Sequence, residues 1–246
     1  MNILLNTSQI QTTHSIQTDL AQQSYSHVTA DELQLSAEVQ AAWQQLQAAY
    51  AELPADNFLP GGAAYRFRRY DSFQFHPTTG ELALLPHRAY FQNTDINAVT
   101  GGIARDFAPL TSEIAANPFL HELIRFDFAQ FPIDEALRQA NWKVDVHLVR
   151  VVARAGESAH PTPEGVHRDG AEYVTVHLAE LENAVGGEAS IYDDRKRHLA
   201  SFTLQNVLDS YLFHDAILWH GAKPIQPKNG GQGIRSILTF DYHPQR

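Results

Sequence analysis

The sequence contains no cysteine among its 246 residues. This absence excludes disulfide bonds, thiolate metal ligands, iron–sulfur clusters and a cysteine nucleophile. A transition-metal site would therefore have to use imidazole and carboxylate groups. Thirteen histidines are available for that purpose, although most histidines in a chain of this length are surface residues.

A long apolar run is also missing. No segment approaches the roughly 18 apolar residues of a membrane-spanning helix, and residues 1–20 show no basic stretch followed by an apolar one. We therefore expect a cytoplasmic protein. The formal net charge of −10 opposes phosphate backbones and anionic lipids, so we expect neither a nucleic acid nor a membrane as partner. The expected partner is a small-molecule substrate, and the oligomeric state is left open.

Two common catalytic motifs are absent as well. The sequence has no Gly-x-Ser-x-Gly elbow of a hydrolase, and its paired glycines never extend into a Walker or dinucleotide-binding pattern. Hydrolase and nucleotide-phosphate functions are therefore not supported.

The length fits one compact domain. Residues 1–28 are rich in Gln, Ser, Thr and His without clear periodicity, which predicts a loosely ordered N-terminal segment or an edge strand. Residues 29–246 are predicted to form a single domain with helical additions.

Three segments have a helical pattern. In Asp31–Ala51 the apolar residues recur at three- and four-residue spacing, which predicts an amphipathic helix. A second helix is expected over Thr111–Arg125. A third is expected over Ile133–Ala140, with Pro132 at its start.

After residue 141 the sequence changes to short runs rich in Val, Ile, Tyr, Phe and Thr, separated by Gly, Pro and Asn. These runs predict a mainly β fold with flanking helices, arranged as a sandwich or jelly-roll. Including one earlier segment, the predicted strands are Ala64–Phe75, Lys143–Arg154, Glu172–Leu181, Glu188–Tyr192, Ala200–Leu204, Tyr211–Trp219 and Ile234–Tyr242.

His167 and Asp169 are separated by one residue. In an extended segment, both side chains project to the same face and can take adjacent positions on a metal ion. They would form half of a facial triad of two histidines and one carboxylate. A His-x-Asp pair alone is a weak signal, but Gly165 and Gly170 flank this one and a β-like run follows it directly.

His220 is the predicted third ligand, because it ends another β-like run and is followed by a glycine-containing turn. His177 and His214 also lie near the predicted β core and are the alternatives. We prefer His220 because the approach to Arg235 follows it.

Arg235 lies near the start of the apolar strand 233–240. A single arginine in such a strand needs an anion, and its planar fork matches a carboxylate. The distal carboxylate of 2-oxoglutarate would supply one. The alternatives are an arginine that points into water or pairs with Asp241.

Six stretches spread over most of the chain together resemble a known family. From about Tyr65 onwards, the chain is similar to the bacterial 2-oxoglutarate/Fe(II)-dependent dioxygenases that include free L-isoleucine and related amino-acid hydroxylases. The stretches are Arg66–Tyr70, Tyr90–Gln92, Gly101–Phe107, His147–Arg150, Pro163–Gly170 and His220–Pro224.

This resemblance implies a double-stranded β-helix, a cupin-like jelly-roll. It implies that His167, Asp169 and His220 hold Fe(II), with Arg235 at the family's cosubstrate position. The implied cosubstrates are 2-oxoglutarate and O₂, and the implied reaction is hydroxylation of an unactivated C–H bond of a small substrate.

The resemblance further suggests a free aliphatic L-amino acid as the substrate. Such a substrate needs a cationic partner for its carboxylate and an acceptor for its ammonium group. Arg150 is favoured because it shares a strand face with apolar residues, although an internal salt bridge is an equal alternative. His147 lies on the opposite alternation and could either support the iron ligands or be a hydrogen-bonded core residue, and we expect the latter. The candidates are Arg66, Arg68, Arg150, Arg168 and Glu172.

Two other interpretations remain open. One is a non-catalytic, cupin-like metal-binding protein with a stress or regulatory role, which would have no use for Arg235. The other keeps the same chemistry but uses a peptide or natural-product substrate, because proteins of one fold diverge readily at the pocket.

Overall fold

The computed structural model describes residues 9–94, 96, 97, 99 and 101–245. The α-helices are α1 (Ile16–Gln23), α2 (Ala37–Ala48), α3 (Ser112–Ala115), α4 (Pro118–Gln130) and α5 (Glu135–Gln139). The strands are β1 (Ile10–Thr12), β2 (Tyr25–Val28), β3 (Leu33–Leu35), β4 (Arg66–His76), β5 (Glu81–Leu84), β6 (Trp142–Arg154), β7 (Tyr173–Glu182), β8 (Ala184–Gly186), β9 (Ala189–Tyr192), β10 (His198–Phe202), β11 (Ser210–Phe213), β12 (Trp219–Ala222), β13 (Ile225–Pro227) and β14 (Gln232–Pro244).

The largest sheet has seven strands in the order β2-β11-β7-β14-β6-β4-β5. The long strand β14 lies at its centre and pairs antiparallel with both β6 and β7. A three-stranded sheet has the order β10-β9-β12, and β1-β3 and β13-β8 form two further pairs.

Helices cover one face of the large sheet. Trp43 of α2 and Phe119 and Phe128 of α4 belong to the same buried cluster as Val144 of β6 and Phe240 of β14. Since side chains alternate along a strand, residues one position away from Val144 and Phe240 point to the other face. The odd-numbered residues of β6 and β14 therefore face away from the helices.

The small sheet lies against that other face. Ile191 of β9 shares a buried cluster with Val174 and Val176 of β7 and with Phe213 of β11. The two sheets thus form a β sandwich with helices on the outside. The expected mainly β fold with flanking helices is confirmed.

One predicted strand is wrong. The run Tyr211–Trp219 is not continuous: β11 ends at Phe213, β12 begins at Trp219, and the two strands belong to different sheets. The chain turns between them, where the buried carboxylate of Asp215 accepts backbone hydrogen bonds from residues 169–171. Propensity alone did not reveal this turn.

Two predicted helices need correction. Within Asp31–Ala51 only α2 is α-helical, because Leu33–Leu35 pairs with β1 and Ser36 caps the helix by accepting a hydrogen bond from the Val39 N–H. The segment Thr111–Arg125 is split between α3 and α4, where Asn117 caps the second helix and Pro118 occupies its first turn. The third predicted helix corresponds to α5.

The N-terminal segment is folded from residue 10 onwards, contrary to the loosely ordered alternative. It forms β1, α1 and β2, and β2 is the edge strand of the large sheet, paired with β11. Residues 1–8 lie outside the described part of the chain. None of the helices described is long and apolar enough to cross a membrane.

Candidate metal centre and cosubstrate pocket

His167 and His220 are brought together by backbone pairing. The N–H of each residue donates to the carbonyl of the other, at 2.8 and 2.9 Å. This isolated bridge joins the His-x-Asp segment to β12, and the two imidazole rings lie with centroids 4.3 Å apart. Asp169, two residues after His167, joins them on the same side.

Ligand atoms of His167, Asp169 and His220 all lie within 4.8 Å of one another. His220 Nε2 is 3.0 Å from Asp169 Oδ2, and His167 Nε2 is 3.5 Å from Asp169 Oδ1. Two imidazole nitrogens and one carboxylate oxygen are the donors of the facial triad that binds non-haem Fe(II) in oxygenases. The residues present therefore fit an iron ion.

The state of each donor is set by its neighbours. The Nδ1–H of His167 donates to the Gly165 carbonyl at 3.0 Å, so Nε2 is directed at the site. Burial opposes charge here, but the hydrogen bond and charge of Asp169 outweigh it and raise the pKa of His167 to about 10. Burial likewise acts against ionisation of Asp169, yet both histidines hold its pKa well below its usual value. A carboxylate placed to attract cations is suited to a metal ion.

Asp145, Asp241 and His243 form the other group in the described residues with ligand-like spacing. Here Asp145 already has cationic neighbours, Lys143 Nζ at 2.8 Å and His243 Nε2 at 3.1 Å. A lysine ammonium would repel a metal ion at the same carboxylate. We interpret this group as an ion-pair network.

Arg235 lies on the cavity face of β14, together with Ile237, Thr239 and Asp241. It is 3% exposed and makes no hydrogen bond or ion pair with any described residue. Burial lowers its pKa. Gly187 makes room for it, because a Cβ atom at that position would lie 2.9 Å from Arg235 Cδ.

Three more arginines line the same cavity. Arg66 is paired with Asp56, whose Oδ2 is 2.7 Å from Arg66 Nε. Arg68 and Arg105 are buried and have no carboxylate partner among the described residues. Burial and the neighbouring charge of Arg66 lower the pKa of Arg68 to about 10.

Aromatic rings hold the two unpaired arginines in place. The Arg68 guanidinium lies 3.9 Å from the ring centroid of Phe107, and that of Arg105 lies 4.8 Å from the centroid of Tyr90. Arg105 also donates to Gln92 Oε1 at 2.7 Å, and Gln92 Nε2 donates to the Asp169 carbonyl at 3.1 Å. Gln92 therefore links the arginine wall, which is formed by Arg66, Arg68 and Arg105, to the backbone of Asp169.

His147 continues this wall rather than lying in the apolar core. Burial and the charge of Arg68 hold its pKa well below the usual value, so the imidazole is neutral. Its Nδ1 accepts from Arg68, and its Nε2–H donates to Asp241 Oδ2 at 3.1 Å. The predicted hydrogen bonds are present, but His147 lines the cavity and is not the core residue that was predicted.

The structure brings together six of the predicted site residues around one cavity, namely His167, Asp169, His220, Arg235, Arg66 and Arg68. Three substrate candidates lie elsewhere, so their assignment is corrected. Arg150 faces the helix side of β6, with its Nε 3.2 Å from Glu180 Oε2. The predicted alternative of an internal salt bridge is the one observed.

The other two corrected candidates point away from the triad. For Arg168 the reason is alternation, since it lies between His167 and Asp169, which are directed inwards. The Arg168 Nε donates to the Leu218 carbonyl at 3.0 Å and its guanidinium lies over Trp219. Glu172 contacts His214 at 3.1 Å.

Sequence reasoning missed four residues that shape the cavity or its support: Tyr90, Gln92, Arg105 and Asp215. The first three fall within stretches that carry the family resemblance, which was the available signal. Asp215 had no local signal, because the residues it contacts are more than 40 positions away.

A β sandwich that carries two histidines and an aspartate beside a buried, unpaired arginine defines the class of non-haem iron oxygenases. Comparison with known proteins identifies the family. The 2OG-Fe dioxygenase family model matches residues 47–241, and the chain belongs to this family. It is therefore a 2-oxoglutarate-dependent dioxygenase that uses Fe(II) and O₂.

Two curated relatives match most of the chain. L-isoleucine-4-hydroxylase of Bacillus thuringiensis is 26% identical over 182 residues, which cover 72% of this chain and 75% of that protein. The 3(1)-hydroxy-L-isoleucine 4-dioxygenase of Pantoea ananatis is 25% identical over 203 residues, with coverage of 81% and 80%.

Solved structures confirm the jelly-roll fold. A bsmA homologue from Methylobium petroleophilum superposes with a TM-score of 0.80 at 28% identity, covering 94% of this chain and 92% of the homologue. The structure of IDO from Bacillus thuringiensis gives a TM-score of 0.76 at 19% identity, with coverage of 94% and 98%, and supports the fold alone.

Proposed function

We propose that this dioxygenase hydroxylates an unactivated C–H bond of a free aliphatic L-amino acid. The two curated relatives are named for activities on L-isoleucine and on a hydroxylated L-isoleucine, and each match covers more than two thirds of both chains. The cavity combines unpaired arginines, suited to a carboxylate, with the apolar side chains Val149, Val176 and Ile237. A small substrate with one charged end and one aliphatic end suits both parts.

We propose further that His167, Asp169 and His220 hold the iron ion and that Arg235 binds the distal carboxylate of 2-oxoglutarate. The carrying observation is the state of Arg235, which is buried without an anion among the described residues. A buried charge is stable only when it is paired. A dicarboxylate cosubstrate supplies the missing partner, whereas a protein that only stored metal would gain nothing from this arginine.

Iron, when bound with 2-oxoglutarate and O₂, supplies the oxidising chemistry that converts C–H to C–OH, with succinate and CO₂ as coproducts. The protein residues position the reactants. Arg235 fixes one end of the cosubstrate, and Asp215 fixes the backbone of Asp169. The arginine wall aims the substrate carbon and excludes competing reactions.

A peptide or a larger natural product is the second candidate substrate. It would leave the buried guanidinium groups of Arg68 and Arg105 without a carboxylate unless it carried one at the matching place. The free amino acid is therefore preferred. Nucleic acid is not proposed, since the net charge of −10 opposes it.

The experiment is to measure succinate formed from 2-oxoglutarate with Fe(II) and O₂, first without substrate and then with L-isoleucine, L-leucine, L-valine or L-methionine. We expect one amino acid to stimulate succinate formation and to give a product heavier by one oxygen atom. The Asp169→Ala variant should do neither.

Succinate formation that no amino acid stimulates would refute the proposed substrate and leave the dioxygenase assignment. Stimulated turnover that persists in Asp169→Ala would refute the proposed iron site.

A further inference from the structure

Three carboxylates line the cavity, and two of them have clear protein partners. Asp169 contacts both histidines of the triad. Asp241 accepts from His147 at 3.1 Å, and burial together with the charge of Asp169 raises its pKa well above the usual value. The third carboxylate, Glu164, makes no hydrogen bond to any residue in the part of the chain described.

The nearest cationic group to Glu164 is His167, with Oε1 3.6 Å from Nε2. That separation is longer than a hydrogen bond, and this Nε2 is the atom directed at the proposed iron site. Glu164 is then a carboxylate with a side chain 15% exposed that faces the cavity without a charged hydrogen-bond partner.

Two arginines of the arginine wall are cations without a carboxylate partner among the described residues. Arg68 and Arg105 are 8% and 4% exposed, and the Nε of each is buried without a hydrogen-bond partner in the described residues. Both guanidinium groups lie within 6.0 Å of the Tyr90 ring centroid, so they occupy one region of the wall. Arg66 differs from these two arginines because it is already paired with the carboxylate of Asp56.

We propose that Glu164 accepts the ammonium group of the substrate while Arg68 and Arg105 bind its carboxylate, so that the cavity selects an amino acid with both charged groups free. This inference rests on the proposed amino-acid substrate. It predicts that acylation of the amine, as in a peptide, removes a required charge and leaves the partly buried Glu164 without a cation.

The test is substrate binding without turnover. Calorimetry is carried out in the absence of O₂ on protein reconstituted with Mn(II) and 2-oxoglutarate, with L-isoleucine and N-acetyl-L-isoleucine as probes. If another amino acid was the one that stimulated succinate formation, it and its N-acetyl derivative replace them. Wild-type protein should bind the free amino acid about 10- to 100-fold more tightly than its N-acetyl derivative. This is the range expected for one charge-assisted hydrogen bond.

Glu164→Gln should abolish this preference, because it should weaken binding of the free amino acid and leave binding of the N-acetyl derivative unchanged. Glu164→Asp keeps the charge and should retain part of the preference. Glu172→Gln is the matched control, because Glu172 lies outside the cavity beside His214, and it should keep the wild-type preference. Arg68→Met and Arg105→Met should weaken binding of both probes, because the free amino acid and its N-acetyl derivative each have a free carboxylate.

The outcomes separate the two proposals. Wild-type protein that binds no free amino acid overturns both the proposed substrate and this inference. Wild-type protein that binds one, with an unchanged preference in Glu164→Gln, overturns this inference alone. So does a Glu164→Gln variant whose Mn(II) affinity falls more than about tenfold, since Glu164 would then serve the metal site.

Discussion

Asp215 holds the backbone of Asp169 in place. Its carboxylate accepts the Asp169 N–H at 3.0 Å and the N–H groups of the next two residues at 2.8 and 3.0 Å. Asp215 is completely buried, so these bonds do not exchange with water. The ligand aspartate is thereby fixed from the turn between β11 and β12, the same turn that leads to His220.

Asp215→Asn should weaken metal binding by about 10- to 100-fold, because residues that orient metal ligands typically contribute that much. The amide has one acceptor oxygen and would direct N–H groups at the donors of residues 169–171. The measurement is Mn(II) or Fe(II) titration of the purified variant.

Asp209→Asn is the matched control. Asp209 is also buried and also accepts three backbone N–H groups, those of Ala30, Gln205 and Asn206, away from the triad. It should lose stability but keep metal affinity. Equal metal affinities in the two variants would contradict the positioning role of Asp215.

Arg235→Met should raise the KM for 2-oxoglutarate by about 30-fold or more, since removing one partner of a buried charge pair costs about 2–5 kcal/mol. Arg150→Met provides the comparison, because that arginine is on the neighbouring strand but pairs with Glu180 on the opposite face. The KM of Arg150→Met for 2-oxoglutarate should be unchanged. Steady-state succinate assays over a range of 2-oxoglutarate concentrations measure both values, and an equal rise in the two variants would contradict the role of Arg235.

Gly187→Ala should raise the same KM by about tenfold, since a shift of the guanidinium by a fraction of an ångström weakens a bidentate contact. The new Cβ would lie 2.9 Å from Arg235 Cδ. Gly231→Ala introduces a similar backbone strain, with φ of +84° compared with +68°, but its Cβ meets nothing within 4 Å. If both variants changed the KM equally, strain rather than contact with Arg235 would be the cause.

His177→Ala should lower the free energy of unfolding by about 1–3 kcal/mol, because it removes a buried hydrogen-bond partner of Asp127. His177 Nε2 is 2.8 Å from Asp127 Oδ2, and both side chains are at most 2% exposed. His198→Ala, at an exposed position, should change it by less than about 0.5 kcal/mol. Urea unfolding measures both, and similar values would show that the pair contributes little.

His14 should make stability depend on pH. Burial lowers its pKa, but hydrogen bonds to Asp19 and Glu32, each 2.8 Å long, outweigh burial and raise it above 6.5. A raised pKa stabilises the folded protein fully below pH 6.5, and this contribution is lost as the pH rises through the folded-state pKa. His14→Gln should therefore cost more stability at pH 6 than at pH 9 in urea unfolding. An equal cost at both values would contradict the charged bridge.

Short-range patterns were sufficient to predict much of this protein. The spacing of His167 and Asp169, the β-like runs around them and the single Arg235 of an apolar strand placed four residues that the structure gathers around one cavity. These features follow from strand alternation, which is a property of the local chain. The β-like runs predicted a sandwich or jelly-roll, the resemblance added the double-stranded β-helix and the family, and the comparisons confirm both.

The orientation of each face was decided only by the tertiary structure. Alternation correctly placed Arg150 with Val144, Val146 and Leu148, but it could not tell whether that face looks into the sandwich or towards the helices. Since α2 and α4 cover it, these apolar residues form the helix-side core and Arg150 lies outside the cavity. Arg105 and Asp215 reach the site through contacts between distant segments, and such contacts have no local pattern in the sequence.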